Sequence, residues 1–471
     1  MSREKTKHRG PLAAAVFGLL LGACAIQEPS SLPRMQLPER WSEPLPLGQA
    51  AASGVAPDWW TGFASAELNR LVGLALAGNP DLMISAERVR QAEIALGIAG
   101  AARLPSVGGS AGTSQSRSTP DGGTTTRRDG SSLGLSVSYE LDLWGRIAAN
   151  VAAGEASLQA SRFDHEAARL SLVAGVASVY FQALAADERL RIAQENLALA
   201  QRILAIVEAR HRNGVATSLE VAQQSTTVLS QQAALIPLAV QVRQLHSALA
   251  LLLGQIPQAA AFAGEDFVGL HIPAILPEMP PILIARRPDI AAVEAALAAS
   301  DANVAAARAA LLPSASLSAS GGLSSAVLLD LANPTRSVSM ALSLAQNIFD
   351  GGRLRLQTES ARSQRAVQII NYSKAVRSAL KEVDDGLGNV EKSERQEIAQ
   401  RAVLEQASRS LRLAELRYRE GAGELLSVLE AQRTVFSARD QLVTLRLSRL
   451  QAAIDLSKAL GGGWKAAEAG A

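Results

Sequence analysis

Residues 417–425 read RYREGAGEL, and they separate two long segments with the composition of helices. The outgoing segment, 353–419, contains no proline, and the returning segment reaches Leu460. At ~1.5 Å of rise per residue, the outgoing segment would form a helix about 100 Å long. The glycines between Glu420 and Gly423 favour a tight reversal, because glycine readily takes a positive φ. These residues predict a helical hairpin longer than a globular domain requires.

A second hairpin of the same design lies upstream. Its outgoing helix is expected over 144–212, its turn at Asn213-Gly214 and its return over 218–254. Landmarks recur at a nearly constant spacing, which indicates an internal duplication. The matched positions are Leu104-Pro105 with Leu312-Pro313, 208 residues apart, and, each 207 apart, Arg146 with Arg353, Gly214 with Gly421, and Leu253-Gly254 with Leu460-Gly461.

The final helix has apolar side chains at a seven-residue spacing, which predicts left-handed supercoiling. Two adjacent rows follow this spacing, so the helix is expected to contact neighbours on both sides, as in a closed wall of helices. An ordinary two-helix coiled coil needs only one row. The rows are Val428, Val435 and Leu442, and Leu429, Phe436, Val443 and Leu450.

Ahead of each long hairpin the sequence alternates with the period of a β-strand. Residues 133–143, at ~3.3 Å each and tilted by roughly 45°, would cover about 25 Å, the height of the apolar band of an outer-membrane barrel. A half-buried soluble strand would alternate in the same way. The apolar positions are Leu133, Leu135, Val137, Tyr139, Leu141 and Leu143, and the positions expected to face a water-filled lumen include Ser136, Ser138, Glu140 and Asp142.

Strands are expected at about 105–119, 131–143, 313–323 and 336–348. The smallest single-chain membrane barrels have about eight strands, and open sheet edges are not tolerated in lipid. Several chains must therefore contribute to one barrel, and cyclic symmetry is the default arrangement.

The N-terminus is typical of a secretory signal followed by a lipid-attachment site. Arg3, Lys5, Lys7 and Arg9 precede a short apolar run that ends at Leu21-Gly22-Ala23-Cys24. The run is too short to span a membrane. Cys24 is the only cysteine, and its position resembles that of the lipidated cysteine of bacterial lipoproteins. An acyl chain there would bury CH₂ groups at ~0.8 kcal/mol each.

The chain thus divides into six predicted segments. They are a signal peptide (1–23), a lipidated N-terminal arm (24–64), a first repeat (65–256), a proline-rich connector (257–285), a second repeat (286–464) and a C-terminal tail (465–471).

Several classes of function lack the residues that they need. The formal net charge is +2, which gives no nucleic-acid-type footprint. The five histidines are scattered without metal-ligand spacing, and no glycine-rich phosphate loop is present. Gly108 to Gly112 fits G-x-S-x-G, but it lies in a strand region rather than a strand–turn–helix. We expect no catalysis, no metal and no cofactor other than lipid on Cys24.

These landmarks resemble the TolC-like outer membrane factor family, in particular its efflux lipoproteins. The motifs are Trp59-Trp60, Arg286-Arg287-Pro288-Asp289-Ile290 and Ala459-Leu460-Gly461-Gly462-Gly463-Trp464. The resemblance implies a mainly α, internally duplicated chain whose homotrimer forms a twelve-stranded membrane β-barrel, four strands per chain, continued by a coiled-coil α-helical barrel in the periplasm. It implies an outer-membrane location and, as partners, outer-membrane lipid, a periplasmic adaptor (membrane fusion protein) and an inner-membrane RND-type pump.

The resemblance also assigns roles to the hairpin turns. It implies adaptor docking at the turns and a closing constriction beside them. Family members commonly have acids at the positions of Ser427 and Glu430; Ser427 departs from this pattern, so Glu424 is an alternative source of the carboxylate. The docking candidates are Arg212, Asn213, Gly214, Tyr418, Arg419, Gly421 and Gly423, and the gate candidates are Glu220, Glu424, Ser427 and Glu430.

The predicted function is passive conduction of small molecules through an outer-membrane channel of a tripartite efflux system. Two alternatives stay open. A type I protein-secretion duct would share the architecture and differ in cargo. A lipid-tethered coiled-coil scaffold would have no pore, and the alternating strands with serine-rich faces argue against it.

Overall fold

The computed structural model describes residues 37–38, 40–42, 55–258, 260, 262–275, 280 and 285–464. The signal segment, Cys24 and the tail 465–471 lie outside the described residues. The chain forms two compact units, and each takes residues from both repeats. The sheet unit comprises residues 88–162 and 292–373, and the hairpin unit comprises the described parts of 35–87, 163–291 and 374–471.

Long helices dominate both repeats. The order of elements is a short 3-10 helix (Trp59–Phe63), α1 (Ala66–Gly78), α2 (Pro80–Ala101), β1 (Ser106–Ser118), β2 (Thr126–Leu141), α3 (Arg146–Arg212), α4 (Ser218–Leu252), α5 (Pro288–Ala309), β3 (Ser314–Ser325), β4 (Thr335–Ala345), α6 (Arg353–Arg419) and α7 (Leu425–Ala459).

The duplicated hairpins are present at the predicted spacing. Helices α3 and α6 each have 67 residues, or about 100 Å at ~1.5 Å per residue. The return helices α4 and α7 have 35 residues each. Pro237 lies within α4 without ending the helix. The expectation of a mainly helical, internally duplicated chain is confirmed.

The four strands form one antiparallel sheet in the order β1-β2-β3-β4. Strand β2 begins at Thr126, earlier than the expected start near 131. Polar cross-strand pairs extend the ladder beyond the apolar alternation: Gln115 Nε2 donates to Asp129 Oδ1 at 3.0 Å. Apolar alternation was the only signal for the strand, so its polar end was missed.

The other end of β2 corrects the predicted role of Asp142. The strand ends at Leu141, so Asp142 is not a strand residue. Its carboxylate accepts hydrogen bonds from the backbone N–H of Ile147 (3.0 Å) and Ala148 (2.7 Å), at the beginning of α3. A carboxylate at that place satisfies free N–H groups and the positive end of the helix dipole. Asp350 caps α6 in the same way: its carboxylate accepts hydrogen bonds from the backbone N–H groups of Gly352 and Leu354.

The two faces of the sheet have different chemistry. On one face, which we call the apolar face, Leu133 lies opposite Leu323 and Leu317 lies opposite Leu342. The opposite face, the serine face, carries hydroxyl groups in contact across the strands. Hydroxyl contacts join Ser106 to Ser138 (2.7 Å between Oγ atoms) and Ser320 to Ser339 (2.8 Å), and the same face carries Ser136 and Ser318. Glu140 lies at the base of this face and pairs with Arg146 at 2.8 Å.

The core of the hairpin unit anchors the connector that follows α4. Phe63, Tyr180 and Phe181 are fully buried, and the rings of Phe63 and Phe181 are 5.0 Å apart. Glu265 accepts hydrogen bonds from the Tyr180 hydroxyl (3.1 Å) and the Glu67 backbone N–H (3.0 Å). These bonds fix the connector against α1 and α3.

The glycine run near the end of α7 permits a close chain crossing. Gly461 and Gly463 have φ of +84° and +73°. A Cβ on Gly461 would lie 2.0 Å from the carbonyl oxygen of Arg286, and one on Gly463 would lie 2.3 Å from the carbonyl carbon of Ala56. The motif therefore has a steric cause, because a side chain at either position would collide with backbone.

Candidate functional site at the two hairpin tips

The turns of the two hairpins lie side by side in the hairpin unit. We call residues 210–220 the first tip and residues 417–430 the second tip. Under them, apolar side chains of α3, α6 and α7 pack into one buried cluster, which includes Ile203, Val207, Leu411, Tyr418, Leu425 and Val428. The position of each tip is therefore fixed by packing between repeats.

The first tip ends α3 and begins α4 with paired backbone and side-chain caps. Gly214 takes φ of +73°, and the backbone N–H of Val215 donates to the carbonyl of Arg210 at 2.9 Å. Thr217 and Glu220 form a capping box: the Thr217 N–H donates to Glu220 Oε2 (2.6 Å), and the Glu220 N–H donates to Thr217 Oγ1 (3.2 Å). Both side chains thus satisfy free N–H groups of α4.

The second tip has the same backbone turn but a different cap. Gly421 takes φ of +79°, and the Ala422 N–H donates to the Arg417 carbonyl at 2.9 Å. Glu424 is the N-cap residue of α7, and its side chain makes no capping hydrogen bond. Glu424 and Ser427 occupy the positions of Thr217 and Glu220, and both are exposed.

Arg210 joins the first tip to the second. Its Nη1 donates to the backbone carbonyl oxygens of Tyr418 (2.5 Å) and Arg419 (3.3 Å). Its guanidinium carbon lies 4.6 Å from the centre of the Tyr418 ring, within the range of a cation–π contact. Those carbonyls end α6 and carry the negative end of its dipole, so a cation there is stabilising.

Tyr418 makes the reverse connection. Its hydroxyl donates to Glu220 Oε1 at 3.3 Å. Burial, followed by the charge of Glu220, raises the pKa of the Tyr418 phenol above its ordinary value. The backbone N–H of Thr217 is the main cause that lowers the pKa of the Glu220 carboxyl. At neutral pH the phenol is therefore a donor and the carboxylate an acceptor, which is the combination that this hydrogen bond needs.

Buried polar atoms lie beside these contacts. Gln224 donates from Nε2 to the Ala200 carbonyl at 2.8 Å, but its Oε1 has no described partner. Neither amide atom of Gln432 has one, although the residue is fully buried, and the same holds for Nε of Arg210. Unpaired buried polar atoms cost roughly 1–3 kcal/mol each.

The predicted docking residues fall into two sets. Arg212, Asn213, Gly214, Arg419 and Gly421 are exposed at the turns. Tyr418 is only 3% exposed, and its side chain contacts Glu220 of the first tip. A Cβ on Gly423 would lie 3.1 Å from Arg417 Cβ, so this glycine allows the turn to close.

The predicted gate residues also divide. Glu220 is engaged in the capping box and with Tyr418. Glu424, Ser427 and Glu430 follow at three-residue intervals from the N-cap of α7, and all three are exposed. Within the described ranges, His, Cys, Asp and Glu form no group of three or more that could hold a metal ion.

Arg210 was not predicted from the sequence, although it makes the most contacts between the tips. Its equivalent in the second repeat is Arg417, 207 residues later. Arg417 bonds within its own turn, to the Ala422 carbonyl at 3.4 Å. The spacing could have marked both arginines as turn residues, but it carries no information on which of them reaches the other repeat.

Comparison with known proteins identifies relatives over nearly the whole chain. The model of the outer membrane efflux protein family matches residues 71–255 and again residues 279–462. The chain is 40% identical to the pyoverdine export outer membrane protein OpmQ of Pseudomonas aeruginosa, over 95% of each chain. It is 33% identical to the outer membrane protein OprJ of the same species, over 96% of each chain.

A solved structure shares the architecture. The open state of the MtrE outer membrane channel of Neisseria gonorrhoeae is similar with a TM-score of 0.80 and 28% sequence identity. The similarity covers 92% of this chain and 98% of MtrE.

Proposed function

This chain belongs to the outer membrane efflux protein family, and from that premise we propose that its two hairpin tips form the periplasmic gate of a passive channel. It is an outer-membrane efflux channel component that extends into the periplasm. The observation that carries the gate proposal is the two-way connection between the tips. Arg210 reaches the second tip, and Tyr418 reaches back to Glu220.

The working channel is proposed to be a homotrimer. Strands β1 and β4 are the edges of the four-stranded sheet and lack a second neighbour in the described chain. Pairing β4 of one copy with β1 of the next would remove these edges, which lipid requires. Three copies give the twelve strands that the family resemblance implies, and the serine face would then line the lumen.

Exposed apolar helix surface supports the same oligomer. Helices α3, α4 and α5 each contain an 18-residue window apolar enough to cross a membrane by length and composition. In α4 only 11% of that window is buried within the chain. Leu229 and Ile236 of α4 and Ile94 and Ile98 of α2 are well exposed. For a helical wall in the periplasm, neighbouring copies would cover this surface.

In the proposed closed state, the contacts of Arg210 and Tyr418 hold the hairpins together. A hydrogen bond to a charged group is worth roughly 1.5–3 kcal/mol, and a cation–π contact adds about 0.5–2 kcal/mol. Opening requires these contacts to separate. A partner that binds the separated tips more tightly would shift the population towards the open state.

A periplasmic adaptor is the proposed partner of the exposed turn residues. Arg212, Asn213 and Gly214 of the first tip have counterparts in Arg419, Glu420 and Gly421 of the second. A trimer would therefore present six similar turns, and an adaptor with sixfold or pseudo-sixfold symmetry could engage all of them. An inner-membrane RND-type pump would supply the energy, since we propose that the chain itself has no catalytic activity.

Small molecules are the proposed cargo. The relative OpmQ is named for pyoverdine export, which favours small-molecule efflux over a type I protein-secretion duct. Glu424, Ser427 and Glu430 are proposed to line the constriction, with two carboxylates per chain. A covalent lipid on Cys24 is proposed as an additional membrane anchor.

The gate proposal is tested by the conductance of the full-length protein in planar lipid bilayers. We expect a low open probability for the wild type and an increase of at least tenfold for Arg210→Ala, because about 1.4 kcal/mol of lost contact changes an equilibrium tenfold. Arg417→Ala is the matched control and is expected to stay close to wild type. No ion current from any variant would contradict the pore; equal currents from all three would contradict this gate.

A further inference from the structure

The apolar face of the sheet changes its chemistry towards the β1–β2 loop. Following the paired positions outwards, apolar pairs give way to hydroxyls, then to an amide and a carboxylate, then to two guanidiniums. The pairs on this face are Ala111 with Leu133, Thr113 with Ser131, Gln115 with Asp129, and Arg117 with Arg127. This is the order expected for a surface that leaves hydrocarbon and enters a polar headgroup layer.

The strand alone does not provide a full apolar band. On β2 the apolar positions extend from Leu133 to Leu141. Eight steps of ~3.3 Å at a tilt of about 45° cover only about 19 Å, whereas an outer-membrane band is about 25 Å tall. The missing height begins at the level of Ser131, where the strand carries a hydroxyl.

The loop between β3 and β4 supplies apolar side chains at this level. Ser131 is buried; its Oγ donates to the Val327 carbonyl at 2.9 Å and accepts from the Leu329 N–H at 2.7 Å. Ser131 shares the apolar face with Leu133, so the loop is held at that face. Leu329 is 82% exposed at φ of +57°, a conformation that leucine rarely adopts.

Two arginines lie at the outer end of this face and are exposed. Arg117 on β1 and Arg127 on β2 are directly opposite each other. Arg127 Nε donates to Asp129 Oδ1 at 3.2 Å. Among the described residues, none forms a hydrogen bond or an ion pair with the Arg117 side chain. Like charges opposite each other on a sheet are destabilising, and an anion between them would remove the repulsion.

We propose that the outer rim, defined as loop 326–334 with Arg117 and Arg127, binds the anionic, phosphate-bearing lipids of the outer leaflet. The leucines of the loop extend the apolar band into the acyl chains. The guanidiniums bind lipid phosphates, for which their planar donor geometry is suited. The inference relies on the outer-membrane location of the family and is independent of the proposed gate.

The position of the loop is tested by quenching of a fluorophore attached at Leu329→Cys in the full-length protein, with Cys24→Ala to remove the native thiol. The protein is placed in phosphatidylcholine vesicles that contain brominated acyl chains. We expect strong quenching at position 329 and weak quenching at Thr124→Cys, in the polar β1–β2 loop. Equally weak quenching at both positions would overturn the apolar role of the loop.

The phosphate contact is tested by titrating lipid A, a bis-phosphorylated glycolipid, against the detergent-solubilised full-length protein. At about fivefold in affinity per arginine, replacing Arg117 and Arg127 together by glutamine is expected to weaken binding roughly twenty-five-fold. Arg128→Gln is the matched control, because Arg128 pairs with Ser116 on the serine face. It should bind as wild type does.

Two outcomes would overturn the phosphate contact. One is unchanged lipid A binding by the double variant. The other is competition by inorganic phosphate as effective as that by lipid A, which would indicate a site for free phosphate. Bilayer conductance of the double variant reports separately on assembly. Retained conductance with lost lipid A binding supports the proposal, and loss of both would contradict it by making the arginines structural.

Discussion

The two hairpin tips have the same backbone and use opposite side chains. In the first tip, the hydroxyl of Thr217 and the carboxylate of Glu220 cap α4. In the second tip, the acid and the hydroxyl exchange positions, as Glu424 and Ser427, and the N-cap side chain makes no capping bond. The turn is therefore the same in both tips, whereas Glu220 caps a helix and Glu424 is exposed.

The residues that precede the turns differ in the same way. Arg210 and Tyr418 bond to the opposite tip. Their duplicates, Arg417 and His211, bond within their own turns, to the carbonyls of Ala422 and Ala216. A gate built from repeats thus needs only one residue of each duplicated pair to bond to the opposite tip. The difference predicts that equivalent substitutions in the two tips have unequal effects.

Among the helix caps, the largest difference is expected for removal of the N-cap side chains. Thr217→Ala removes the capping box, and such losses cost typically ~1 kcal/mol and up to about 2 kcal/mol. Hydrogen exchange at the Glu220 amide should become at least about fivefold faster. Glu424→Ala should leave exchange at the equivalent amide of Ser427 within about twofold of wild type. Equal acceleration in both tips would contradict the asymmetry of the caps.

A smaller effect is expected when the first cap is copied into the second tip. The double substitution Glu424→Thr and Ser427→Glu places the capping-box pair at the start of α7. We expect a gain of about 0.5–1 kcal/mol in local stability, read as slower exchange of the residue 427 amide. The control is the wild type, in which the acid and the hydroxyl of the second tip stand in the reversed order. Unchanged exchange would show that the backbone of the second tip does not accept this cap.

The smallest effect is expected from pH. The pKa of Glu220 is lowered from 4.5 in the folded chain, so its stabilisation is present above the unfolded pKa and is lost as pH falls through the folded pKa. Bilayer conductance should stay constant from about pH 6 to pH 8 and rise below about pH 4.5. Glu220→Gln should abolish the acid-dependent rise. A rise of the wild-type conductance near pH 7 would indicate that a group other than Glu220 controls the pH dependence.

Local sequence patterns predicted the helices, the strands and both turns. Proline-free segments and the positive-φ glycines at 214 and 421 depend on nearby residues, and the 207-residue spacing compares such local patterns between the two repeats. The polar end of β2 was missed because its signal lies in the partner strand, at Gln115. Asp142 was assigned to a strand because alternation continues through it, although its carboxylate caps a helix.

Local sequence patterns did not predict the contacts between the tips. Arg210 and Tyr418 are separated by 208 residues. Which residue of a duplicated pair bonds to the opposite tip depends on how α3 packs against α6 and α7. Tyr418 adjoins the turn and was predicted as a docking residue; its side chain is buried and contacts Glu220 of the first tip. Glu424 and Glu430 were identified from the family resemblance and from their place beside the turn, and both are exposed.

The most direct test of the connection is a double-mutant cycle on single-channel open probability, with Tyr418→Phe, Glu220→Gln and the double variant. The two side chains meet through one hydrogen bond of 3.3 Å. If that bond holds the closed state, each single substitution raises the open probability, and the double variant opens no more than the larger of the two. Independent effects that multiply in the double variant would contradict a gate closed by this contact.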